Sequence, residues 1–153
     1  MAGHSYVISG VATANAAAPK DFLSVKAAAN QRVKVRSIHF GHDGAVAAQG
    51  VRWQLLIFAS GQTDVTSSAF TPVAVDQGDT RTAKCTAKDT VTVQASGTSK
   101  KVFERAFDIL SSLTYTFPPG AEPLLEDGQF IVPRKIVGAD ATGNWAVDIV
   151  VEE

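Results

Sequence analysis

Cysteine and charged residues are both scarce in this chain. Its 153 residues include one cysteine, Cys85. A single thiol excludes an intrachain disulfide and a cysteine-cluster metal site, so packing must stabilise the fold. Charged residues make up 19% of the sequence and aromatic residues 8%. The folded surface must therefore rely on Thr, Ser, Gln, Asn and Gly more than on ions.

Long apolar runs are missing too. No segment approaches the roughly 18 consecutive apolar residues of a membrane-spanning helix. The opening MAGHSYVISG has neither the basic region nor the apolar run of a secretory signal. We expect a chain that is made and kept soluble in the cytoplasm, with no membrane partner.

The apolar content is nevertheless sufficient for a buried core. Hydrophobic residues make up 45% of the chain, and its length is that of one ordinary domain. No low-complexity linker divides the sequence. We expect one β-sandwich domain over residues 20–153, preceded by residues 1–19 as an N-terminal arm or a first strand.

Charge is distributed unevenly along the chain. Residues 1–60 contain six basic and two acidic residues, whereas residues 61–153 contain eight basic and thirteen acidic residues. The formal net charge of −1 disfavours nucleic acid as a partner, because phosphate binding needs a concentrated basic surface. The unequal halves suit head-to-tail or lateral contacts between copies of the chain.

Alternation of apolar and polar residues predicts β-strands along most of the chain. Apolar residues occupy every odd position from Trp145 to Val151, as in a strand with one buried face. Residues 51–55 alternate in the same way, but residues 56–58 are apolar on both faces. We expect that end of the strand to be covered twice, by the core and by something else. Further predicted strands cover residues 6–11, 22–26, 70–75, 82–95 and 129–137.

The segment QRVKVRSIHF changes parity in the middle of a predicted strand. Its apolar residues occupy odd positions up to Val35 and even positions from Ile38 onward. A β-bulge near Arg36 and Ser37 would return both sets to the core.

Residues 101–110 fit both a helical and a strand periodicity. A strand is favoured, because no N-cap with a Glu three residues later precedes them and β-branched and aromatic residues follow in LTYTFPPG. The other helical candidate is a short segment within NAAAPKDF, which Pro19 would end early.

Turn-forming Gly, Asp, Pro and Asn residues separate the predicted strands. Short strands at such regular spacing predict an all-β fold, an antiparallel β-sandwich of jelly-roll type.

The stretch HFGHD places two of the three histidines within five residues. We expect His39 at the end of a strand and His42, Asp43 and Gly44 in the following hairpin loop. The histidines and Asp43 could in principle reach one Zn²⁺, but structural zinc needs four ligands and catalytic zinc needs three with a supporting shell. A solvent-exposed corner is therefore favoured over a metal site.

Other reactive residue types have structural explanations. Cys85 lies among small residues, so a buried, inert thiol is favoured over a nucleophile. The carboxylates Asp76 and Asp79 are explained by a turn rather than by Ca²⁺ binding. A second carboxylate pair, Glu126 with Asp127, lies in the predicted turn segment PPGAEPLLEDG.

The two tryptophans, Trp53 and Trp145, lie at alternating strand positions, so a place in the core is favoured over a sugar-stacking surface. The chain lacks a G-x-S-x-G elbow and the glycine patterns that bind phosphate. We assign no catalytic, cofactor-binding or metal-binding residue and expect no enzyme activity.

Four segments form a pattern that covers most of the chain. After an Ala- and Ser-rich start they read DFLSVKAAANQRVKVRSIHFG, FTPVAVDQGD, FERAFDILSSLTYTFPPG and the terminal WAVDIVVEE. In this order of strands and turns the chain resembles the small β-rich capsid decoration (cement) proteins of tailed bacteriophages.

The resemblance implies a jelly-roll-like structural protein without cofactor or catalysis. It implies a trimer on the outside of an assembled capsid, where the major capsid protein is its partner and neighbouring capsomers are tied together. Residues 1–19 and the loop PPGAEPLLEDG are the expected contact segments.

Three alternatives remain open at this stage. A carbohydrate-binding sandwich would expose Trp53 or Trp145 beside a shallow groove. A metal-dependent enzyme would bind metal at His39 and His42. A tail or fibre protein would also be a structural part of the virion, but it would not lie on the head.

Overall fold

The computed structural model describes residues 3–13, 20–44, 50–76, 78–137 and 144–153. Within these ranges the chain forms β-strands and no helix. The strands are β1 (Ser5–Thr13), β2 (Lys20–Asp21), β3 (Leu23–Lys26), β4 (Val33–Asp43), β5 (Gly50–Phe58), β6 (Thr66–Phe70), β7 (Val73–Ala74), β8 (Thr86–Val93), β9 (Ser99–Asp108), β10 (Leu113–Thr116), β11 (Leu124–Leu125), β12 (Phe130–Val137) and β13 (Asn144–Glu152).

The strands form two antiparallel sheets packed as a sandwich, so the predicted fold class is confirmed. Sheet A has the order β10-β4-β13-β1-β7, with β11 also paired to β4. Sheet B has the order β6-β8-β3-β12-β5-β9, with β2 also paired to β12. The four strands β1-β13-β4-β10 and the four strands β3-β12-β5-β9 have the winding order of a jelly roll, and β6 to β8 are inserted between β5 and β9.

The N-terminal segment contributes a strand to the middle of sheet A. Of the two alternatives for residues 1–19, Ser5–Thr13 adopts the strand and pairs with β13 along its whole length. Residues 14–19 lie outside the described residues, and so does most of the helix candidate NAAAPKDF. Its residues Lys20 and Asp21 belong to β2.

The predicted bulge in β4 is confirmed. Val150 of β13 pairs with Ser37, and the next residue of β13 pairs with Val35, so Arg36 is the extra residue. The two apolar sets of β4 are both buried as a result. They are Val33, Val35, Ile38 and Phe40.

Two predicted strands need correction. Residues 70–75 do not form one strand, because β6 ends at Phe70 and the chain crosses to sheet A before β7. In residues 82–95 only Thr86–Val93 is a strand. Thr90 has a φ of 53°, which breaks the alternation and leaves Val93 55% exposed. By contrast, the strand prediction for residues 101–110 is confirmed by β9.

The main core lies between the sheets and is built around aromatic rings. The ring centroids of Trp53 and Trp145 are 5.1 Å apart, and Phe22 and Phe40 pack on Trp53 at 4.8 and 4.5 Å. Both tryptophans are fully buried. Their predicted place in the core is confirmed.

A second, smaller core covers the outer side of sheet B. Leu56 and Phe58 of β5 point away from the main core and pack with Val65 and Ala95 from the inserted segment. Phe130 stacks on Phe58 with ring centroids 4.9 Å apart. The expectation that this end of β5 is covered twice is therefore confirmed, and the inserted segment provides the second cover.

Candidate contact surfaces

The HFGHD stretch continues β4 instead of forming a loop, which corrects the expected positions of His42 and Asp43. His42 is in register with Trp145 of β13, and their ring centroids are 4.6 Å apart. Asp43 Oδ1 accepts a hydrogen bond from the backbone N–H of Asn144 at 2.5 Å. Pairing with β13 thus extends β4 to Asp43.

His39 and His42 lie on opposite faces of sheet A, because they are three positions apart in one strand and successive side chains alternate between the faces. His39 Nδ1 is 2.7 Å from the hydroxyl of Thr114 on the outer side. Both ring nitrogens of His42 are buried and have no hydrogen-bond partner in the described part of the chain. No group of three or more His, Cys, Asp or Glu residues that could hold a metal occurs among the described residues.

Cys85 is buried, as predicted, and its surroundings oppose ionisation. Burial raises the pKa of the thiol far above its ordinary value, and the nearby Glu153 carboxylate raises it further. The same carboxylate accepts hydrogen bonds from the backbone N–H groups of Lys84 and Cys85. A nucleophilic role would require the opposite change in pKa.

We expect Cys85 in the native protein to react with a thiol reagent such as 5,5′-dithiobis(2-nitrobenzoate) at least about 100-fold more slowly than in urea, because the reagent attacks the thiolate. Absorbance of the released product measures both rates. Equal rates in native and unfolded protein would contradict the buried position.

The two carboxylate pairs form turns, as predicted. Asp76 Oδ1 accepts a hydrogen bond from the backbone N–H of Gly78 at 2.9 Å. Hydrogen bonds from the side chain and backbone of Arg81 lower the pKa of Asp79 to about 2. The backbone N–H of Gln129 donates to the carbonyl of Glu126 at 2.8 Å, which closes the other turn.

Sheet A has an outer face with little charge, which we call the open face. Its three central rows follow the strand register across the sheet. They consist of Val73, Val7, Val150, Ser37 and Thr116; Ser9, Asp148, His39 and Thr114; and Val11, Ala146 and Gly41. Asp148 is the one residue of these twelve with a full charge at pH 7. Charged residues lie at the two ends of the face, with Lys34 and Glu152 at one end and Asp43 at the other.

The outer face of sheet B differs because the inserted segment covers much of it. Two polar networks, one partly buried and one centred on the buried Asp21, attach this segment. Asp64 accepts a hydrogen bond from Ser24 at 2.6 Å and pairs with Lys88 at 2.9 Å. Asp21 pairs with Arg134 and accepts a bond from the backbone N–H of Ala95 at 2.8 Å. Sheet A therefore offers the more open of the two outer faces.

A groove opens between the two sheets at the edge formed by β9 and β11, and we call it the edge groove. Its volume is about 580 Å³. Its floor and walls include Ile57, Val102, Pro123 and Leu124, and its rim includes Lys100 and Lys101. The loop PPGAEPLLEDG supplies one wall, so this part of the sequence does border an open surface.

The sequence pointed to the loop PPGAEPLLEDG, but it did not reveal either surface as a whole. Each depends on which strands become neighbours, and no local motif carries that information. The Ser, Thr, Ala and Val residues at outward positions of β1, β10 and β13 were a weak signal of the open face.

Comparison with known proteins adds no relative. No protein-family model matches this chain, and no curated protein or solved structure matches it significantly. In the described residues, no helix is long and apolar enough to cross a membrane.

Proposed function

We propose that this chain is a structural virion protein that binds the outside of an assembled bacteriophage capsid as a trimer and stabilises the contacts between capsomers. The open face of sheet A is the observation that carries the proposal, and the resemblance described above supplies the partner. The major capsid protein contacts this face in the assembled shell.

The composition of the open face supports a role in binding. Protein interfaces have cores depleted of charge and rims that are polar, and the face has one charged residue in its central rows with charged residues at its ends. Val11 on this face is 56% exposed. Exposed apolar side chains within a surface of little charge are typical of a binding site.

The size of the open face also supports the proposal. The strands β4, β13, β1, β10 and β7 have 11, 9, 9, 4 and 2 residues. At about 4.8 Å between strands and about 3.3 Å per residue they span roughly 550 Å². Contact over this area buries about 1,100 Å² in total, which reaches the roughly 1,000 Å² expected of a specific interface.

Stabilisation of the shell follows from mass action. A ligand that binds only the assembled shell stabilises it by RT ln(1 + [L]/Kd), and three linked copies increase the effective affinity without new contacts. The chain therefore needs only a modest affinity per subunit and no catalytic residue.

The test is to mix the purified protein with expanded shells that lack it and to look for added density by cryo-electron microscopy. We expect density on the shell exterior with sheet A facing the shell. The variant Ala146→Arg, in the centre of the open face, should bind at least about tenfold more weakly, since a large charge there is desolvated. Its matched control is Ala106→Arg, an exposed alanine on the outer side of β9.

Protein that stays free in solution would refute the proposed function. Equal binding by both variants would show that another surface faces the shell.

A further inference from the structure

We propose that the edge groove of one subunit binds residues 73–76 of a second copy of the chain, in a head-to-tail contact that closes the trimer. This contact deepens the proposed function and rests on it for the number of copies, but it forms without a shell and can be tested separately.

The edge groove presents an unused strand edge beside an apolar cleft. Among the described strands β9 pairs only with β5, so its other edge leaves backbone N–H and C=O groups unpaired. Ile57 in the groove packs against the main core, and Leu124 is 37% exposed. An extended segment can add to such an edge by backbone hydrogen bonds while its side chains enter the adjacent cleft.

The rim of the groove carries one cation without a partner in the described part of the chain. Lys101 is hydrogen-bonded to Glu104 and lowers the pKa of that carboxyl. Glu122, on the groove wall, is paired with Arg36. Lys100 is exposed and makes no ion pair with any described residue, so the groove favours a segment with one uncompensated negative charge.

Residues 73–76 have the matching properties. Val73 and Val75 are 71% and 53% exposed, whereas Ala74 between them packs inward. Val73 and Ala74 form β7, and the N–H of Val75 donates to the carbonyl of Ser5 at 2.9 Å before the chain bends at Val75 and Asp76. Asp76 follows directly, is exposed and makes no ion pair with a described residue. The segment thus offers two apolar side chains and one carboxylate to two apolar walls and one ammonium group.

The segment and the groove are two different surfaces of one subunit. The strands β7 and β11 lie at opposite edges of sheet A, four strand spacings or about 19 Å apart. The contact is therefore head-to-tail, and such contacts close into a ring when the rotation permits. The number three comes from the proposed function.

The experiment measures the mass of the purified protein by sedimentation velocity over a range of concentrations. We expect a trimer for the natural sequence. Val75→Asp should weaken association at least about tenfold, since it places a charge in the apolar cleft. Val11→Asp is the matched control, because Val11 is equally exposed (56%) on the open face, and it should remain a trimer.

A charge exchange tests the lysine. Lys100→Glu should weaken the trimer, and adding Asp76→Lys to that variant should restore it. Circular dichroism of each variant verifies that it is folded.

A folded Val75→Asp variant that is as trimeric as the natural protein would overturn the inference, and so would a natural protein that is monomeric or dimeric. A trimer that is broken by Val75→Asp but does not bind shells would support the inference and refute the proposed function. Shell binding by a monomer would overturn the inference and the trimer, and would leave only the attachment to the shell.

Discussion

Trp145→Ala is expected to lower the free energy of unfolding by about 3–5 kcal/mol, the usual cost of removing a large buried aromatic side chain. Trp145 is fully buried at the start of β13. Its indole ring lies 5.1 Å from Trp53, 4.6 Å from His42 and 6.2 Å from Phe107, measured between ring centroids. Alanine would leave a cavity that these rings cannot fill without shifting both sheets.

Urea denaturation followed by the fluorescence of Trp53 measures this loss at a fixed protein concentration. Trp145→Phe should retain much of the stability, because it keeps an aromatic ring in the site. Val11→Ala is an exposed control that should change the free energy of unfolding by less than about 0.5 kcal/mol. If Trp145→Ala changed the free energy of unfolding as little as Val11→Ala, the aromatic cluster would not stabilise the sandwich.

Arg134→Met is expected to cost about 3–5 kcal/mol, because it leaves the Asp21 carboxylate buried without its cation. The guanidinium donates to both oxygens of Asp21, at 2.5 and 2.8 Å, and to the carbonyl of Ala95 at 2.8 Å. Asp21 is fully buried. The pair joins β2, β12 and the inserted segment, so the second core on sheet B should loosen with it.

A second variant separates the lost ion pair from lost packing. Arg134→Met combined with Asp21→Asn removes the buried charge but keeps an acceptor for the Ala95 N–H, and it should recover a substantial part of the stability. Arg32→Met is the control, because the Arg32–Glu126 pair is 3.5 Å long and mostly exposed. Equal losses for Arg134→Met and Arg32→Met in urea denaturation would contradict this explanation.

Local periodicity was sufficient for much of the architecture. Three patterns show which side of a strand is buried: the alternation in residues 145–151, the parity change at Arg36 and the double apolar stretch after Leu55. Each can be read from a short segment, because the buried side is set by the residue types within one strand. These patterns predicted the sandwich, the bulge and a second covering layer. The inert Cys85 followed from the same reasoning.

The sequence contained much less information about the candidate surfaces. The sequence favoured an exposed loop corner at His39 and His42 and left a shared metal ion as the alternative. Pairing with β13 instead extends β4 through both residues and turns their rings to opposite faces. Segment 70–75 was expected to be one strand, yet it crosses between the sheets and exposes Val73 at an edge.

The sequence alone thus determined an all-β chain with a defined set of buried positions, because the alternation of apolar and polar residues is visible within each single strand. The open face, the edge groove and the exposed segment that fits it arise from pairings between strands far apart in the chain, such as β1 with β13 and β4 with β10. Such pairings depend on the combined burial and hydrogen bonding of all strands at once, so no single segment encodes them.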